Sequence, residues 1–157
     1  MRLTLAVTVA LLASVAEAAP IHHGMTVLDF YKAFEMEARD LAEGGMDLNR
    51  GGCTPDNAKC GGYYGAANTF AAEGPAGGAL EKITVTQVEP GESQDFWLTT
   101  GVVMDIIDGD FKTIPERSDM ILNAMRAPPG TSFDGNAGHY VFGRNDMGLS
   151  QVIITAK

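Results

Sequence analysis

The stretch Cys60-Gly61-Gly62-Tyr63-Tyr64-Gly65-Ala66-Ala67-Asn68-Thr69-Phe70-Ala71-Ala72 decides how the rest of the chain is read. Tyr63, Ala67 and Phe70 recur at helical spacing, which predicts a helix from Gly61 to Ala72. Its glycines each cost about 1 kcal/mol in a helix interior, and a neighbour packed closely against them would account for their presence. With that helix the chain has four. The predicted architecture is then mainly α: a small four-helix domain with one disulfide and a short C-terminal β element. The alternative is α+β, helices on a four-stranded antiparallel sheet.

Upstream, Thr26 precedes Val27, Leu28, Phe30, Tyr31, Phe34, Ala38 and Leu41, whose three- and four-residue spacings mark one face of a helix ended by Gly44-Gly45. The opposite face carries Asp29, Lys32, Glu35, Glu37, Arg39 and Asp40, the ordinary make-up of a solvated surface. Met46 to Lys59 is rich in Gly, Asn, Asp and Pro and reads as a loop.

Downstream, Gly74 to Gly78 is a connection. Ile83, Val85 and Val88 favour an extended segment over 82–88. A helix is predicted over 94–108, with Ser93 as its cap, and a strand over 96–107 is its rival. Thr113 caps a further helix, with Pro115 and Glu116 in its first turn, Met120, Ile121, Ala124 and Met125 facing inward, and Pro128-Pro129-Gly130 as its stop. The tail reads as two short strands, His139–Gly143 and Leu149–Ala156, around the polar turn Arg144–Gly148.

The two cysteines, Cys53 and Cys60, are the whole complement of the chain, and an even count outside the cytoplasm reads as a disulfide. Closing so short a loop stabilises by roughly 2.5 kcal/mol on the chain-entropy account. A clamp on a turn explains the pair better than redox chemistry, which favours Cys-x-x-Cys at a helix start.

Export is read from the opening residues. Met1-Arg2, an apolar run from Leu3 to Val15, and Ala16-Glu17-Ala18 form the charged, apolar, small-residue order of a secretory signal peptide. The run is too short for a membrane span, which needs about 20 residues. Residues 1–18 are therefore expected to be removed, leaving 19–157 as a single mature domain, periplasmic or secreted. The chain carries 11 Lys+Arg against 20 Asp+Glu, and loss of Arg2 and Glu17 leaves its net charge at −9. That balance argues against nucleic acid and anionic membranes as partners and suits a protein with a basic cleft.

Catalytic signatures are sparse. Gly-x-Ser-x-Gly, His-Glu-x-x-His and the phosphate-cradling Gly-x-x-x-x-Gly-Lys are all missing from the sequence, and His139 is the only histidine in the body of the chain. No enzyme activity and no cofactor are expected. Asp105, Asp108 and Asp110 offer oxygen ligands close in sequence, but their spacing is not that of an EF-hand, and a solvated turn is the simpler reading. Asp134, Asn136, Asn145 and Asp146 form a second acidic group of ordinary turn residues. His22 and His23 follow Pro20, which lacks the amide that a terminal metal clamp uses. Tyr63, Tyr64 and Trp97 supply aromatic surface, and Tyr63 and Tyr64 are the candidate partner surface.

Taken together, Met25-Thr26-Val27-Leu28-Asp29-Phe30-Tyr31, the cysteine at 53, and Cys60-Gly-Gly-Tyr63-Tyr64-Gly65-Ala66 resemble the periplasmic type VI secretion amidase immunity proteins of the Rap/Tai group. Pro90–Gln94, Val102-Val103, Ile106-Ile107 and the run Ile114–Met125 extend the resemblance to about residues 25–128. It implies a mainly helical, disulfide-bearing protein, often a homodimer, that binds and occludes a peptidoglycan amidase without chemistry of its own. The chain departs from the family in having Pro128-Pro129 where members carry a further cysteine near the end of the last helix. The other expectation is a periplasmic small-ligand or calcium-binding module built on the acidic turns, and a third is a hydrolase that uses His139.

Overall fold

The computed structural model describes residues 21–22, 24–42, 48–64, 68–88 and 94–157. The elements run α1 (Val27–Ala42), β1 (Leu48–Cys53), β2 (Lys59–Tyr64), β3 (Asn68–Glu73), β4 (Lys82–Gln87), α2 (Gln94–Asp108), α3 (Ile114–Arg126), β5 (Ser132–Asp134), β6 (Gly138–Arg144) and β7 (Ser150–Ala156). All seven strands join one sheet in the order β1-β2-β3-β4-β7-β6-β5, and every pairing is antiparallel. The fold is α+β, which overturns the mainly α four-helix expectation.

The correction begins at the decisive stretch. Gly61 to Tyr64 lie in β2 and Asn68 to Ala72 in β3, antiparallel neighbours with Gly61 opposite Ala71 and Gly62 opposite Phe70. Burial alternates strictly along β3, with Asn68, Phe70 and Ala72 inward, a period of two. Tyr63 and Phe70 therefore do not share a helix face, and Ala67 lies outside the described residues. The glycines answer to strand packing: a Cβ at Gly61 would run into the Phe70 backbone, and one at Gly51 into the Tyr31 ring. The predicted loop over 46–59 likewise contains β1, and the two-strand tail has three strands, since Phe133 pairs with Tyr140 in β5.

Other expectations hold. The extended segment at 82–88 is β4, the helix at 94–108 is α2, and Thr113 opens α3, its amide donating to Glu116 Oε2 at 2.8 Å. At α1 the Asp29 amide donates to Thr26 Oγ1 at 3.1 Å and the Thr26 amide to Asp29 Oδ2 at 3.2 Å, a reciprocal cap. The glycine stop at 44–45, the cap at Ser93 and the leader over 1–18 lie outside the described residues.

The three described helices lie on one face of the sheet. Phe30 and Phe34 of α1 press on Phe70, the latter with ring centroids 4.0 Å apart. α2 runs through the middle of the layer, with Phe96, Val103, Met104 and Ile107 buried against Ile83, Val85, Val152 and Ile154. The sheet joins two halves: α1 is followed by β1–β4, and α2–α3 by the β5–β7 meander, whose last strand docks on the free edge of β4.

Candidate functional site

With the helices on one side, the other face of the sheet carries the outward member of each alternation. Registers across the strands resolve it into three rows. The first runs Lys59, Glu73, Lys82, Thr155, His139, Asp134, each opposite the next. The second runs Gly52, Gly61, Ala71, Thr84, Ile153, Val141, Ser132. The third runs Tyr63, Thr69, Thr86, Gln151, Gly143.

The first row is a charged border. Lys59 and Lys82 both reach Glu73, at 2.7 and 2.5 Å, and His139 Nδ1 lies 2.6 Å from Asp134 Oδ1. Hydrogen bonds from Lys59 and then Lys82 hold the Glu73 carboxyl below its ordinary pKa. The middle row has small or short side chains over β1–β4, and its large apolar members are Ile153, 37% exposed, and Val141. At the far border Tyr63 stands 56% exposed beside a shallow groove floored by Gly52, Gly61 and Ala71. An uncharged strip of small side chains between a charged ladder and an exposed tyrosine is suited to holding another surface by shape, with Tyr63 as a stiff aromatic contact.

The sequence candidates distribute as follows. Tyr63 lies on this face, at the groove. Tyr64 closes β2 opposite Asn68, and its side chain lies outside the described residues. Cys53 and Cys60 form a disulfide between directly opposed positions of β1 and β2, clamping the hairpin at its turn. That turn is further fixed by Thr54 Oγ1 donating to Asp56 Oδ1 at 2.7 Å and by Asn57 at φ 55°. Trp97 belongs to α2, on the helical side of the sheet, and does not share a surface with Tyr63.

The acidic turns are engaged in holding the fold. Asp108 is 2% exposed, and its carboxylate accepts from Ala137 N at 2.6 Å, Gly138 N at 3.2 Å and Tyr140 Oη at 2.7 Å. It thus latches the end of α2 to the β5–β6 turn, and the reading of Asp108 as part of a solvated turn is overturned. Asp105 pairs with the buried Arg117, which also donates to the carbonyls of Gly109 and Lys112 at 2.8 and 2.9 Å. Asp134 holds His139, and Asn145 Oδ1 accepts from Met147 N and Leu149 N, both at 3.0 Å, within the β6–β7 turn. Among the described residues no group of three or more His, Cys, Asp or Glu is arranged to hold a metal ion. His22 lines one shallow depression together with Asp105 and Asp110, and His23 lies outside the described residues.

Sequence reasoning missed the Asp108–Tyr140 latch and the Arg117 hub. A signal for the latch was present only as Gly135 and Gly138, whose missing side chains make room for the Asp108 carboxylate. No described helix is long and apolar enough to cross a membrane. No family model, curated protein or solved structure matches the chain.

Proposed function

We propose that this is an exported binding protein that acts by stoichiometric association, holding a protein partner against the uncovered face of its sheet. The observation that carries the reading is that face: a strip of Gly, Ala and Thr, with Tyr63 and Ile153 open to solvent, on the side away from the three described helices. A partner with a basic cleft fits a chain of net charge −9, which speeds encounter and favours the complex electrostatically. A peptidoglycan amidase is the partner class to test first, on the sequence resemblance alone. The helical fold that came with that resemblance is not the fold of this chain, since Cys60 to Tyr64 stand in a strand.

The test is capture from native periplasm and from supernatants of competing bacteria, using the wild-type protein beside a Tyr63→Arg/Ile153→Arg double variant. The expected result is one-to-one retention of a basic wall-degrading enzyme by the wild type and its loss with the variant. Equal retention by both would remove the sheet face from the interface, and retention of no such enzyme from preparations that contain one would end the amidase reading.

A further inference from the structure

A groove of about 190 Å³ runs between α2 and α3, and no strand residue lines it. Its walls offer surface to a ligand: Ile114 is 66% exposed, and Trp97 and Leu98 are half-buried. Gly101, in the interior of α2, lines the same groove. A glycine at such a position weakens the helix relative to alanine. Neither of the usual reasons for tolerating one applies here. Gly101 does not have a positive φ, and a Cβ built on it would meet no neighbouring group within 4 Å. The fold does not call for this glycine, and its effect is to keep the groove open.

Volume and rim together define what fits. A cavity of about 150 Å³ holds a benzene ring, so the groove has room for one ring or one branched aliphatic group, set against apolar walls. At the rim, the Asp105 side chain is 44% exposed. Its Oδ1 pairs with Arg117, while its Oδ2 takes no bond among the described residues. Arg117 is only 6% exposed and is spent on that oxygen and on the carbonyls of Gly109, Phe111 and Lys112. Ser118 lines the groove too, and its hydroxyl forms no hydrogen bond among the described residues. What the rim presents to solvent is therefore acceptor oxygen. A positively charged donor is complementary to it, and a chain of net charge −9 draws the same sign.

We infer that this groove binds a small primary amine with a ring-sized or branched apolar body, the body lying over Gly101 between Trp97, Leu98 and Ile114 and the ammonium on Asp105 Oδ2 and Ser118. This does not rest on the sheet-face reading, because neither Tyr63 nor Ile153 lines the groove. Phenethylamine and isopentylamine are the probes, with phenethyl alcohol, phenylacetate and methylamine as controls, each followed by amide chemical shifts of the isotope-labelled protein. Both amines should move the amides of Leu98, Gly101 and Ser118 and leave those of Gly61 and Tyr63 in place. Phenethyl alcohol should bind about tenfold more weakly, and phenylacetate and methylamine more weakly still. Gly101→Leu fills the groove and should abolish binding, while relief of the mid-helix glycine raises the melting temperature by roughly 2–5 °C. No movement at the groove, binding of any control as tight as that of phenethylamine, wild-type affinity in Gly101→Leu, or a lowered melting temperature in that variant would each overturn the inference.

Discussion

Asp108 and Asp110 stand two residues apart in the sequence and in opposite surroundings. Asp110 is exposed, whereas Asp108 is buried under three donors, one of them the Tyr140 hydroxyl. Removing its carboxylate leaves those donors buried without an acceptor. Asp108→Ala should therefore cost about 3 kcal/mol or more in urea unfolding, while Asp110→Ala should stay within about 0.5 kcal/mol of wild type. The same latch sets behaviour at high pH. Burial first, then the Asp108 charge and hydrogen bond, raise the Tyr140 hydroxyl far above its ordinary value. Burial and the hydrogen bond to Glu35 push Tyr31 up from 10.0 to about 12. A raised folded pKa means that the unfolded chain loses its phenolic proton first, so stability is whole below pH 10 and declines as pH rises through 10 to about 12. Spectrophotometric titration should show Tyr31 and Tyr140 ionising only as the protein unfolds. Ionisation of Tyr31 and Tyr140 near pH 10 with native circular dichroism retained would contradict their burial.

At the scale of elements, the three helices were legible because their signals are local. Thr26, Thr113 and the apolar spacing of α1 and α3 sit within a few turns of each other, and the caps form as the residues predict. The β1–β2–β3 meander was not legible. Its strands are so rich in glycine and alanine that period two and period 3.6 leave nearly the same trace: besides the cysteines, Leu48, Tyr63, Tyr64 and Phe70 are the few large apolar or aromatic residues that carry weight. What makes this segment a strand is its neighbours, because the slim faces of β1 and β2 let Tyr31 and the Phe70 backbone approach closely. Glycine-rich strands resist poorly on their own, and the Cys53–Cys60 bond holds their hairpin shut at the turn. Reducing it should lower stability by about 2.5 kcal/mol in denaturant titration. The strand signal should persist in the reduced protein, since β2 remains paired to β3 over six residues on its other edge; loss of that signal on reduction would show that the disulfide, and not the sheet, keeps β1 and β2 in place.

For the whole molecule, the consequential feature is that one layer of helices covers one face of a seven-stranded sheet. Arginine substitutions at Tyr63 and Ile153 on the open face should therefore act on association and leave the melting temperature near that of the wild type, because both residues lie outside the buried core. The reading of the candidate site was correspondingly partial. Tyr63 was visible as an aromatic in the right segment, but its standing on one face with Gly61, Ala71 and Thr84 follows from registers between strands, one of which sets Thr84 opposite Ile153, 69 residues further on. The sequence by itself determined the boundaries of α2, α3 and β4, the start of α1, the acidity and the pairing of the cysteines, all properties of short windows or of composition. Only the tertiary structure decided that the glycine-rich middle is sheet, that Asp108 is a buried latch, and which residues share a surface. Those outcomes depend on contacts between distant segments, and a strand with few side chains takes its conformation from the strands and helix it packs against.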